Sequence, residues 1–445
     1  MKSPIHLWRT AALAIAMLPM GATPALGQTN WNVTMGDVRV ISQCEPGGDR
    51  PYFPAIYFSS KINTPNSTIV EVVEYEPHDW VSKDPFKSGL PGGKDHMFTG
   101  NDLRLPFWMS PHQFRGIQSV HNPMVNGKLD SSLANAAMHA EIVGAIVLGI
   151  DNRNTPPDVV RELLNDGAKI VRQLLIDQVE SGKIILPSMS GDFTVFEKNV
   201  IQDATDLATR LLDGWSVAGL IVRGGIGSLG SPDQLLGLKG FILPAIDGIT
   251  WGAIQPPQNA QIAIPIVKGS LTAHNEVMDF QGSCSNGHYQ VALSITPEIC
   301  NPAERISALA ISVLSGEDDL RSNSVVGLRV EAGGKVLDVP NFITNTGIDK
   351  RQQLTRTVTL PNPVLRSELR TIGLTFTSHS NAGQTPDNWD MAAIRVDANG
   401  KTVVLQTGRP VMRFTGNARE WTTGAGCTPP SRFSTTPPPM RRPKL

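Results

Sequence analysis

The run Ile306-Ser307-Ala308-Leu309-Ala310-Ile311-Ser312-Val313-Leu314 alternates small or polar residues with apolar ones over the length of a strand. This period of two constrains the chain most, because it commits one face to a core and leaves the other outside. Five further short runs follow, at Val325–Val330, Thr355–Leu360, Thr371–Phe376, Ala392–Val396 and Val403–Leu405. Gly333-Gly334, Pro361-Asn362-Pro363 and Asn399-Gly400 punctuate them. Gly and Asn reach the positive φ of a tight turn, so Asn399-Gly400 between two apolar runs predicts a hairpin. Six short strands so spaced predict a sandwich or jelly roll over residues 303–414. Composition agrees. With 41 Gly, 34 Pro and 18% charged residues, sheet and loop are favoured over long surface helices, and 445 residues predict two or three domains with ample core.

Two stretches of this region carry a family resemblance. Ile311–Arg321 (ISVLSGEDDLR) and the later DNWDMAAIRV beginning at Asp387 resemble a module of secreted bacterial proteins that is similar to the PLAT, or lipoxygenase-homology, β-sandwiches. The resemblance spans roughly a quarter of the chain. It implies binding of lipid, carbohydrate or protein rather than catalysis, with calcium held between loops in some relatives. Asp318, Asp319, Asp387 and Asp390 match the acidic loop positions and are the calcium candidates that it implies. Hard cations require several oxygen ligands, which neighbouring acidic loops supply. The residues also support a plainer reading, in which Asp387 and Asn388 build an Asx turn and Trp389 enters the core.

Residues 1–27 read as a signal peptide. Lys2 and Arg9 form a basic start, Ala11–Met20 is apolar but too short to span a bilayer, and Ala25-Leu26-Gly27 is a small-x-small cleavage site. Secretion or periplasmic export is implied. Removing Lys2 and Arg9 takes 39 basic residues to 37, against 40 acidic ones, so no nucleic-acid footprint is expected. Cys44, Cys284, Cys300 and Cys427 make an even set, which in an exported chain suggests disulfides. Cys284–Cys300, across an expected hairpin, is the preferred pair, and Cys44–Cys427 follows from it. No Cys-x-x-Cys occurs, against zinc or thioredoxin-like chemistry. Thr428–Leu445 has six prolines, four basic residues and no acid, the composition of a disordered tail.

A first domain is expected over residues 31–297. Asp37–Ser42, Tyr52–Phe58, Thr68–Tyr75, Gln261–Val267 and Tyr289–Ile295 read as strands. Between them, Leu133–Leu148, a stretch from Pro157 to about Glu180, and Phe196–Trp215 show helical spacing. A helical insertion is therefore expected over about residues 130–220, capping a sheet face with its apolar stripe. Gly287–Leu293 (GHYQVAL) weakly resembles the last strand of the calcium-and-phospholipid-binding sandwiches of the protein-kinase-C conserved-region type. Ser231–Gly237 (SPDQLLG) would be the counterpart of their acidic loop, with Gln234 where an acid is expected.

His78, His96, His112 and His121 gather in one stretch with Glu74, Glu76, Asp79, Asp84, Asp95, Asp102, Trp80, Phe107 and Trp108. Imidazoles and carboxylates ligate metals or exchange protons, but the spacing fits no His-Glu-x-x-His pattern. The aromatics could stack sugars or lie on a membrane surface. The Gly-x-Gly-x-x-Gly at Gly225–Gly230 lacks the surrounding βαβ units of a dinucleotide site and reads as a turn. Val217–Ile254 is apolar but interrupted by Arg223, Asp233, Lys239 and Asp247, so it is no spanning helix. The chain thus reads as a mainly β, two-sandwich binding protein for lipid, glycan or protein at the cell exterior. The rival readings are a hydrolase with its site in 74–121 and a membrane-active protein deploying the helical insertion.

Overall fold

The computed structural model describes residues 25–44, 46–73, 96–104, 111–121, 124–125, 128–129, 140–151, 157–182, 234–245, 262–263, 274–281, 287–299, 301–350, 352–379 and 385–426. Strands dominate these residues. The first half contains β1 (Ala25–Ser42), β2 (Pro51–Tyr52), β3 (Ala55–Lys61), β4 (Ile69–Val73), β5 (Asp102–Arg104), β6 (His112–His121), β7 (Met124–Val125), β8 (Lys128–Leu129) and β9 (Glu141–Asp151). The helix α1 (Pro157–Leu175) follows, then β10 (Gln234–Pro244), β11 (Ile262–Ala263), β12 (His274–Gln281) and β13 (His288–Ile299).

One sheet runs β12-β13-β1-β5, with β6 also paired to β1; the other runs β11-β10-β9-β3-β4, with β2 on β9. Their facing sides make one core. Trp31, Val33 and Met35 point inward from β1, and after a register shift between Met35 and Val38 so do Val38 and Val40. The bulge changes the inward positions from odd to even and keeps the apolar set inside. Phe53, Tyr57, Phe241 and Phe280 complete the layer; each fully buried aromatic contributes roughly 1.5–3 kcal/mol. A Cβ on Gly144 would collide with the Phe58 ring and the Phe241 carbonyl oxygen, so the close approach at the centre of this sheet requires glycine.

Of the helix expected over Leu133–Leu148, residues 133–139 lie outside the described residues, and the remainder is not helical. Glu141–Asp151 is a strand whose eleven residues are all buried. A strand covered on both faces reads as a continuous apolar run, in which helical and strand periods cannot be told apart. The second expected helix is present as α1, extended by a π-helical turn at Ile176–Glu180. Leu164, Val171, Leu175 and Val179 are buried, and the helix packs on β3 and β4. Glu180 ties it down by accepting from the backbone N–H groups of Asn66, Ser67 and Thr68 at 2.8, 2.9 and 2.6 Å. Burial works to raise the Glu180 pKa, but the Thr68, Asn66 and Ser67 donors outweigh it and the net shift is downward. Residues 183–233, including Phe196–Trp215, the Gly225–Gly230 run and Ser231–Asp233, lie outside the described residues; Gln234 begins β10. No helix among the described residues is long and apolar enough to cross a membrane. Ala25-Leu26-Gly27, the expected cleavage site, starts β1 and pairs with His121-Val120-Ser119.

The second half is a sandwich of two four-stranded antiparallel sheets. Its strands are β14 (Arg305–Ser315), β15 (Val325–Ala332), β16 (Lys335–Ile343), β17 (Gln353–Leu365), β18 (Leu369–Thr377), β19 (Trp389–Ala398), β20 (Lys401–Phe414) and β21 (Glu420–Gly424). They are ordered β17-β14-β19-β20 and β16-β15-β18-β21, over a core that includes Ile311, Val313, Leu328, Leu374, Trp389, Val396 and Phe414. Asn399 and Gly400 have φ of 48° and 82°, and Gly333 and Gly334 have 59° and 70°, so both hairpins use the expected left-handed pair. Pro361-Asn362-Pro363 does not end a strand. It bulges from the edge strand β17, where pairing with β14 skips from Ile306↔Val364 to Ala308↔Thr359; an edge tolerates the missing donors. Leu314, Ala392 and Ala393 of this half join the core of the first sandwich, and β20 packs against β6.

Candidate functional site

Asp387 is buried, and its Oδ2 accepts from the Arg321 backbone N–H at 3.0 Å and from Ser324 Oγ at 2.8 Å, with Arg321 Nε 3.3 Å from Oδ1. Trp389, fully buried, donates from Nε1 to Ser315 Oγ at 2.8 Å and stacks on Phe414 at 5.0 Å. The Asp-Asn-Trp turn therefore holds the fold together. Asp390 and Asp318 converge on Arg413, whose Nη1 donates to both Asp390 oxygens and whose Nη2 donates to Asp318. Asp319 takes part in neither pair. Guanidinium groups thus supply the positive charge that calcium would bring. No group of three or more His, Cys, Asp or Glu that could hold a metal occurs among the described residues.

The described part of the histidine cluster is spread along the chain. His78, with Glu74–Asp95, lies outside the described residues. His96 accepts from Arg50 Nε at 3.1 Å. His112 and His121 occupy opposite ends of β6, paired with Val33 and Ala25 of β1.

His112 is nevertheless part of a site. Between the edge strands β4 and β6 of the two first-half sheets a cleft of about 620 Å³ opens, and β20 of the second sandwich closes one side. A β4 run of apolar residues carries Glu71, whose Oε2 lies 3.7 Å from His112 Nδ1. The His112 ring stacks on Tyr57 at 4.4 Å and meets Phe114 edge-on at 4.4 Å. Arg115 donates from Nε to Gln113 Oε1 at 2.7 Å, and from Nη1 to Thr423 Oγ1 and the Gly424 carbonyl at 3.3 and 3.1 Å. Its Nη2 is buried without a hydrogen-bond partner. Gln113 in turn donates to Asn32, which reaches the Thr402 carbonyl, and Gln406 donates to Thr423. A polar relay thus runs from β1 through β6 to the second sandwich.

Burial, reinforced by the Arg115 charge, pushes the His112 pKa down to about 3, so the imidazole is neutral at pH 7. Burial pulls Arg115 down to about 10, opposed by Glu71, and leaves it charged. Glu71 is pushed upward by burial against the pull of Arg115; with its side chain 59% exposed at the mouth, solvent screens much of that effect. A buried guanidinium donor, an accessible carboxylate and a neutral imidazole make a hydrogen-bonding cleft. Arg115, Glu71 and the β20 segment were missed in the sequence, where the one signal was Glu71 set into the otherwise apolar run of β4.

No family model matches the chain, and no curated protein matches it. Among solved structures, the alpha toxin from Clostridium absonum is 12% identical, with 28% of this chain and 33% of that one covered, at a TM-score of 0.22. The chain therefore spans about a third of that toxin's length. The paired C2 domains of Extended-Synaptotagmin 2 are 8% identical over 87% of this chain and 85% of that one, at a TM-score of 0.18. Human GIVD cytosolic phospholipase A2 is 6% identical over 91% of this chain and 33% of that one, at 0.19. At these scores the two-sandwich architecture rests on the strand register of the chain itself.

Proposed function

We propose that this chain is an exported binding protein whose recognition site is the cleft between β4, β6 and β20, and whose target is a lipid, glycan or protein at the cell exterior. The observation that carries this reading is the open cleft lined together by the half-buried Arg115, the accessible Glu71 carboxylate and His112. The basic, apolar and small-x-small segments of residues 1–27 support export. Calcium is a proposed accessory ligand at Asp318, Asp319, Asp387 and Asp390, in competition with Arg413 and Arg321. The test is Thr407→Trp, which places an indole in the cleft mouth. Binding to glycan arrays and vesicles is expected to be lost in this variant and kept in Asp319→Ala. The reverse pattern would return recognition to the rim loops.

The Glu71–His112 pair favours a second reading, acid–base hydrolysis in the same cleft. Hydrolytic turnover lost in His112→Gln would establish it.

A further inference from the structure

We infer that the cleft takes a neutral, hydroxyl-rich ligand, a sugar unit of a glycan, in preference to an anion; this rests on the cleft being the recognition site. The charges that face it decide the class. Arg115 is the one cation among the described lining residues, and Glu71 and Glu141 both line the same cavity. His112 beside them carries no charge at pH 7. An entering anion would meet two carboxylates for one guanidinium while losing its own hydration, which is costly in a partly desolvated site.

A sugar hydroxyl is both donor and acceptor. Neighbouring hydroxyls can therefore accept from the Arg115 side chain where it lines the cleft and donate to the accessible Glu71 carboxylate, with no net charge brought in. Thr407 and Gln406 on β20 add polar groups to the opposite wall, and Val411 offers an apolar surface for the C–H face of a ring. The volume of about 620 Å³ lies within the range of clefts that enclose small ligands.

The full chain is screened on an array printed with neutral, sulfated and uronic-acid oligosaccharides, and hits are titrated by calorimetry. Neutral oligosaccharides are expected to bind, and Glu71→Gln and Arg115→Lys to weaken them by about tenfold or more. Glu71→Gln should lower Tm less than Arg115→Lys, because Glu71 is largely exposed and acts on Arg115 through charge alone, whereas Arg115→Lys also loosens Gly424. Preference for acidic oligosaccharides or for phosphatidylserine vesicles, lost in Thr407→Trp, would overturn the ligand class and keep the cleft. Binding that survives Thr407→Trp, or no binding at all, would overturn both.

Discussion

Arg413 holds Asp390 through both carboxylate oxygens, at 3.0 and 2.9 Å from one guanidinium nitrogen. The Asp390 side chain is 7% exposed and that of Arg413 51%, so removing the arginine strands a buried carboxylate. Arg413→Ala is expected to cost about 1–3 kcal/mol, read as a lowered Tm. It also frees Asp318 and Asp390 together, and millimolar calcium should then restore part of the loss, because a ligand of the folded state stabilises it. In the wild type, where Arg413 competes for both carboxylates, calcium should raise Tm less than in the variant; no rise in either protein would count against calcium at these residues.

His112 makes stability sensitive to acid. Its ordinary pKa of 6.5 falls to about 3 in the folded chain, so the unfolded chain binds a proton that the folded one refuses. The contribution is complete above pH 6.5 and is lost as pH falls toward 3, at about 1.4 kcal/mol per unit. Arg115 faces the ring and titrates outside this window; Glu71, pushed upward by burial, is common to the wild type and the variant compared below. His112→Phe keeps the Tyr57 and Phe114 stacking and removes the proton. Its denaturation midpoint should fall less steeply than that of the wild type between pH 6 and 4; parallel curves would refute the assignment.

Glu298 works in the opposite sense. Burial raises its pKa to about 6, against the pull of Arg366, which lies 3.8 Å away and spends its Nη1 on the Ala425 carbonyl. A folded pKa above the ordinary 4.5 favours the fold below pH 4.5, and that advantage is lost as pH rises through 6. Glu298→Gln should therefore stabilise at pH 7, by at most about 2 kcal/mol, with the difference vanishing near pH 4. Destabilisation at pH 7 would mean that the ion pair outweighs burial.

Register redirects the disulfide expectation. Cys44 is not a free thiol, while Cys284, Cys300 and Cys427 lie outside the described residues. The twelve residues of β13 stand between Cys284 and Cys300 in the sequence, and an extended strand of that length spans roughly 35 Å. Ser42 pairs with His288, which brings the end of β1 to the Cys284 side. Ala425 is held by Arg366 beside Glu298, on the Cys300 side. Peptide mapping without reduction should link Cys44 to Cys284 and Cys300 to Cys427; a Cys284–Cys300 peptide would contradict the β13 register.

The second sandwich was largely legible because its determinants are local. Alternation in β14, β15, β18 and β19, and the Asn399-Gly400 and Gly333-Gly334 pairs, specify strands and turns within a few residues. What escaped were elements whose reason lies elsewhere in the chain. Lys335–Ile343 is an edge strand with most of its residues exposed or half-buried, so it carries no apolar alternation. Glu141–Asp151 is a strand because β3 and β10 flank it, whereas its composition equally suits a helix.

By itself the sequence determined a β-rich chain, its hairpins, one amphipathic helix and the inward Trp389, since each follows from residue periodicity and the backbone freedom of Gly and Asn. Tertiary structure alone decided the cleft. Glu71, His112, Arg115 and Thr407 are separated by up to hundreds of positions and meet only because β6 pairs with β1 and β20 docks against β6. Burial by those neighbours, and no local pattern, leaves His112 uncharged and Arg115 with a donor unspent.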